Sequence, residues 1–215
     1  MKKDMKNVVL STRNPSKAHQ IRAVFEGSPV SIFTLDDIGI EEEAVEDGLT
    51  LEENAEKKAR FAHARTKPMG GKKMWAMADD TGIFIRALGG LPGVKSARWA
   101  GDTATTDEIT QYTLDRLAGV TDRFATFETT VVVINPAGRK YVFTGVVEGR
   151  LLDVPRTKPQ PKMPYSPLFI PNGSVKVWAE MGVEEENEIS HRGIAFRLVR
   201  NFLENGTPSS RSTKY

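Results

Sequence analysis

The chain has 215 residues, 30 Lys+Arg against 28 Asp+Glu, a net charge of +2 and no cysteine. That length supports one substantial core and is short for two. Near charge balance a pI of about 8.8 is a sensitive value from which no polyanionic partner follows, and the absence of cysteine excludes disulfides, thiolate metal sites and a cysteine nucleophile.

No apolar run approaches a membrane span, and Met1 to Lys6 leads into a run too short for the apolar part of a signal peptide. A cytoplasmic protein with no nucleic-acid or membrane partner is expected. Asn7 to Ser11 is a β-branched run that predicts a buried strand, followed by Asn14 as N-cap and Pro15 as first helical residue. Ala18, Ile21, Val24 and Phe25 recur at helical spacing until Gly27. A strand, a tight polar turn and a helix N-terminus present free N–H groups to an anion, and Lys17 in the first turn adds a full charge. An ordinary capped helix uses the same residues, and the spacing of a Walker A loop is absent.

Val30 to Thr34 predicts a second strand, and Leu35 to Gly48 an acidic connector holding Glu41, Glu42, Glu43, Glu46 and Asp47. Thr50 to Glu53 is a capping box that opens a helix, with Leu51, Ala55, Ala59 and Ala62 on one stripe and Asn54 and Lys58 one turn apart on another. Met74 to Ala78 then reads as a buried strand that ends in Asp79-Asp80-Thr81-Gly82, delivering two carboxylates to its carboxyl end. Adjacent strand residues point to opposite faces, so one aspartate is expected to face any given site. A carboxylate there can bind a hard cation, accept a proton or do both; capping of turn N–H groups is the structural alternative. If the polar helix stripe faces this pair, Glu46, Lys58 and the aspartates converge on a site that holds metal through carboxylates and phosphate through lysine.

Gly89 to Gly101 is punctuated by glycine, and Thr106 to Leu117 predicts an amphipathic helix. Ala125 to Ile134 and Arg139 to Val147 predict a long hairpin, and nothing from Asp122 to Glu148 suggests chemistry, so it is expected to be scaffold. Arg156 to Pro167 is proline-dense, an ordered irregular loop, and Leu168 to Pro171 a short strand. Ser190 is an N-cap for a helix with Ala195, Leu198, Val199 and Phe202 on its apolar face, which puts His191 and Arg192 in the first turn. Two potential cations at a helix N-terminus oppose its dipole, a conflict typical of functional sites. Residues 205–215 predict a flexible tail after a single domain over 1–204.

Together and in this order, these stretches resemble the inosine/xanthosine triphosphate pyrophosphatases, which hydrolyse non-standard purine nucleoside triphosphates (ITP, dITP, XTP) to the monophosphate and pyrophosphate. The resemblance rests on Ser11 to Lys17, Gly48 to Ala55 with Lys58-Ala59, Ala78 to Gly82, Leu88 to Gly101, and Ala179 to Met181 with Ile189 to Gly193. It implies an α/β fold with an elongated mixed central sheet flanked by helices, two lobes with an active-site cleft, a homodimer and dependence on Mg2+. By position, Thr12, Asn14, Lys17 and Lys58 would bind the triphosphate and Thr81 would lie against it. Glu46 and Asp80 would hold the metal, and Asp80 would accept the proton of the attacking water, with Asp79 assisting. Tyr165, Ser166, Lys176, Ser190, His191 and Arg192 would recognise the base.

The chain departs from its relatives where they carry Phe-Gly-Tyr-Asp-Pro and it has Met163-Pro164-Tyr165-Ser166-Pro167: an aromatic has become Met163 and an acidic acceptor Ser166. Arg13 stands for a usual glycine and Glu186 for a usual lysine. These departures imply retained pyrophosphohydrolase chemistry with altered base preference. A related pyrophosphatase acting on pyrimidine or modified nucleotides, and a nucleotide-binding module without turnover, are the alternative readings.

Overall fold

The computed structural model describes residues 5–206. In chain order the elements are β1 (Lys6–Leu10), α1 (Pro15–Val24), β2 (Val30–Thr34), α2 (Leu51–Arg65), β3 (Trp75–Ile85) and β4 (Pro92–Gly93). They continue with α3 (Thr106–Arg116), β5 (Phe124–Ile134), β6 (Lys140–Leu151), β7 (Phe169–Pro171), α4 (Val183–Ile189) and α5 (His191–Asn205). Most of the expected tail, residues 207–215, lies outside the described residues; Asn205 closes α5 and Gly206 caps it.

The strands form one seven-stranded sheet in the order β2-β1-β3-β5-β6-β7, with β4 on the edge of β3. β1 runs parallel to β2 and β3, whereas β3, β5 and β6 pair antiparallel along almost their whole length. The result is the expected α/β architecture with an elongated mixed sheet. Its near half is packed on both faces with period-two alternation. Val8, Leu10, Met77, Val131 and Val133 face α1 and α5, while Val9, Ala76, Ala78, Val132 and Ile134 face α2. The alanine stripe of α2 (Ala55, Ala59, Ala62), fully buried, lets that helix lie close on the sheet. The far halves of β3 and β5 carry a second core, where Ile83, Ile85 and Phe127 pack with Ile109, Leu117, Phe169 and Trp178.

Local start signals act as read: Asn14 caps α1, Thr50 and Glu53 form a reciprocal capping box on α2, and the Ser190 side chain accepts from Gly193 N–H at the start of α5. α5 then seats directly on β6, because a Cβ at Gly145 would lie 2.0 Å from the His191 carbonyl oxygen. β4 was not expected, β6 runs on from Val147 to Leu151, and two further differences bear on the site. β3 does not end at the aspartates but continues to Ile85, since β5 pairs with it from Ala76 to Ile85. α4 was not foreseen; its sequence, Val-Glu-Glu-Glu-Asn-Glu-Ile, has little apolar periodicity.

Candidate active site

The site begins as a gap in the sheet. The parallel ladder of β1 ends at Leu10 opposite Met77, and β4 pairs only with Ile83 and Phe84. Between them, Ala78 to Gly82 have no strand on that edge. Into this notch opens a cleft of about 370 Å³ lined from both lobes, with the turn before α1, the acidic connector, β3, the proline-rich loop and the start of α5 all contributing.

Asp79 and Asp80 leave β3 on opposite faces, as its period demands. Lys17 Nζ donates to Asp79 Oδ2 at 2.8 Å, and Arg192 Nε stands 3.8 Å from the same oxygen. On the other face Lys58 Nζ reaches Asp80 Oδ1 at 3.1 Å and Asn54 Nδ2 donates to Oδ2 at 3.2 Å. Lys58 also pairs with Glu46 Oε2 at 3.2 Å. Both aspartates nonetheless line the one cleft, which corrects the expectation that only one would. The open strand edge makes both faces reachable from a single opening.

Their electrostatics diverge. Burial pushes the Asp79 carboxyl up, but the charges of Lys17, Arg192 and Lys58 together outweigh it and hold the group well below the usual carboxylate range. For Asp80, burial reinforced by Glu46 outweighs Lys58 and Lys17, so its affinity for a proton is raised. Neighbouring carboxyls driven apart in this way sort into a fixed anion and a proton acceptor. Burial opposes the Lys58 ammonium, yet Asp80, Glu46 and Asp79 prevail and keep it firmly protonated.

Among the described residues no cluster of three or more His, Cys, Asp or Glu side chains is arranged for a metal. The available donor set is Glu46 with Asp80, two carboxylates brought together on one ammonium, with the charge of Glu46 adding to the rise at Asp80. That set fits a small hard cation whose remaining ligands are phosphate oxygens and water.

The N-terminus of α1 borders the same notch. Asn14 Oδ1 accepts from Ser16 and Lys17 N–H (3.0 and 3.3 Å), and Thr12 Oγ1 accepts from Asn14 N–H at 3.2 Å. Arg13 lines the cleft and ties down the acidic connector, donating to Ile40 O at 2.6 Å and pairing with Glu43 at 3.2 Å and with Asp36.

At the inner end His191 is buried, stacked on Phe127 with centroids 4.7 Å apart and planes 10° from parallel, and bonded through Nδ1 to Thr129 Oγ1 at 2.6 Å. Burial, with the charge of Arg192, pushes the imidazole well below its usual range, so the ring is neutral. Thr129 in turn bonds Thr81 Oγ1 at 2.8 Å. The hairpin is therefore more than the scaffold expected. Phe127 lines the cleft and Thr129 supports its histidine, because the β3–β5 register sets Thr129 opposite Thr81.

The proline-rich loop supplies a wall. Tyr165 lines the cleft while its hydroxyl donates to Ser96 O at 2.9 Å, and burial pushes that phenol up. Ser166 Oγ donates to Met163 O at 2.8 Å and accepts from Gln160 N–H at 2.9 Å. Two of the expected site residues are not among those lining the cleft. Lys176 is exposed and paired with Glu185 at 2.8 Å, and Ser190 is fully buried as the α5 cap. Glu186, not expected at the site, is buried and lines it.

No helix among the described residues is long and apolar enough to cross a membrane. The Ham1 family model matches residues 8–202. The dITP/XTP pyrophosphatase of Caldanaerobacter subterraneus subsp. tengcongensis is 39% identical over 201 residues, spanning 93% of this chain and 96% of that protein. The Staphylococcus aureus Ham1 protein superposes with a TM-score of 0.78 at 29% identity, covering 94% of this chain and 100% of the other. A HAM1 protein from Coxiella burnetii gives 0.78 at 32% identity, with coverage of 93% and 98%.

Proposed function

The chain belongs to the Ham1 family, and on that premise we propose that it hydrolyses non-standard purine nucleoside triphosphates, ITP, dITP and XTP, to the monophosphate and pyrophosphate. The observation that carries this reading is the convergence of Lys17, Lys58 and Arg192 with Asp79, Asp80 and Glu46 in one cleft beside the α1 N-terminus. Positive groups there suit the phosphate chain, and the acidic pair suits a cation and a water.

In this scheme the N–H groups at the start of α1 and the ammonium groups of Lys17 and Lys58 bind the phosphate oxygens, with Thr12 and Asn14 shaping that turn and Thr81 beside the substrate. Glu46 and Asp80 would hold Mg2+, which when bound neutralises charge developing on the leaving pyrophosphate. Asp80, held by Lys58 on the open edge of β3, takes a proton as water oxygen bonds to the α-phosphorus and the α–β bridging oxygen departs with pyrophosphate. Lys58 and Asn54 orient its two oxygens. Asp79 stays ionised and positions Lys17. The base enters against Phe127, Tyr165, His191 and Arg192.

A homodimer in the cytoplasm belongs to the same proposal, as does a single domain over 1–204, which the strands shared by both cores support. The test is pyrophosphate release from ITP, XTP, dUTP and ATP with Mg2+ present. Turnover of ITP and XTP well above ATP is expected; no pyrophosphate from any nucleotide overturns the reading.

A further inference from the structure

Glu186 is the buried cleft carboxylate that the chemistry above leaves unused. It is 6% exposed on α4 and lines the cleft. Each of the other acidic groups lining the cleft has a cation in ion-pair contact: Glu43 with Arg13, Glu46 and Asp80 with Lys58, Asp79 with Lys17. Glu186 has no such contact among the described residues. Its neighbours are the Arg192 guanidinium and the side-chain amides of Gln20 and Gln160, and burial pushes its carboxyl up. An acidic group buried without a cation in contact is costly to the fold, and the two neutral amides beside it leave its negative charge for a ligand to meet.

The other polar groups around it are largely committed. Ser166 spends its hydroxyl as donor and acceptor within the loop, Tyr165 donates to Ser96 O, and His191 Nδ1 is held by Thr129. Arg192 is anchored through Nη1 to Gln20 Oε1 at 2.7 Å and faces the cleft beside Glu186. A donor next to an acceptor is the complement of a keto oxygen next to a ring N–H. We propose that Glu186 determines base specificity by accepting the N1–H of a 6-oxopurine while Arg192 donates to its 6-oxo oxygen.

The proposal rests on the nucleotide pyrophosphatase reading and deepens it. Adenine presents the reverse pattern, an amino group followed by a ring lone pair, so both groups would meet a partner of their own kind. Buried mismatches of this sort discriminate far more strongly than missing apolar contact does. The pair sorts 6-oxo from 6-amino purines and leaves the 2-position unread, so hypoxanthine, xanthine and guanine all present the pattern it takes.

The experiment compares kcat/KM for ITP and ATP in the full-length wild type, E186A and E186Q, with inorganic tripolyphosphate as a competitive inhibitor that carries no base. In E186A the ITP-to-ATP ratio is expected to fall at least about tenfold. E186Q, whose amide oxygen still accepts, is expected to lie between E186A and wild type, and inhibition by tripolyphosphate to stay within about twofold in both. An unchanged ratio in an active enzyme overturns the proposal alone. So does a parallel loss on ITP, ATP and tripolyphosphate, which marks a merely structural role. A wild type that releases no pyrophosphate from any nucleotide overturns the function and the proposal together.

Discussion

Lys17 and Asp79, 62 residues apart in the chain, meet in an ion pair of 2.8 Å with the carboxylate side chain only 1% exposed. That pair fixes the first turn of α1 against β3 and so sets the floor of the cleft. Asp79→Asn removes the charge while leaving Lys17 and Arg192 facing one another in the interior. Breaking a buried pair from one side costs about 3–5 kcal/mol, so a loss of that size in urea unfolding is expected, together with loss of turnover. A variant as stable as wild type contradicts the role given to the pair.

His191 and Asp79 make stability depend on acid. Both have folded-state pKa values pushed down, so the unfolded chain binds their protons first and their contribution is lost as pH falls. For His191 the loss begins below about pH 6.5, and for Asp79 below about pH 4. Glu186 and Asp80, shifted upward, act with the opposite sign: their contribution is present at low pH and is lost as pH rises through their folded values. Comparison of wild type with His191→Gln from pH 7 to about 5 therefore isolates the imidazole. The gap in unfolding free energy between the two proteins is expected to shrink as pH falls, and parallel curves contradict a buried neutral ring.

Thr129→Val keeps shape and removes the hydroxyl that joins Thr81 to His191 Nδ1. A buried ring nitrogen left without a partner costs about 1–3 kcal/mol. The expected result is a loss of that size in stability and a lower kcat/KM for ITP, because the imidazole loses its fixed orientation. Wild-type kinetics in this variant would return Thr129 to the scaffold.

Much of this arrangement is legible in the sequence where the cause is local. Asn14-Pro15, Thr50 with Glu53, and Ser190 announce helix starts because caps act within four residues. The stripe of Asn54 and Lys58 predicts a polar helix face, and the structure turns it onto Asp80. What stays hidden depends on register between distant strands. The point at which β1 stops pairing with β3 makes the notch and lets both aspartates reach one cleft, and the setting of β5 brings Phe127 and Thr129 to His191. Lys176 shows the converse: its residue type suits phosphate or base binding, yet the charge of Glu185 on α4 holds it on the surface. Glu186 stands out in the sequence only as an acid in place of a usual lysine, and its burial among Gln20, Gln160 and Arg192 is what the fold adds.

The central claim is that Asp80 receives the proton of the attacking water, and the substitution Asp80→Asn tests it most directly. Asparagine keeps the size and can still hold Lys58 and the α2 face, so fold and tripolyphosphate binding are expected to survive. Pyrophosphate release from ITP with Mg2+ is the measurement. The account predicts a fall in kcat of at least about a hundredfold that saturating Mg2+ does not restore, the scale of a lost general base rather than of a weakened metal site. Turnover at the wild-type rate would contradict it.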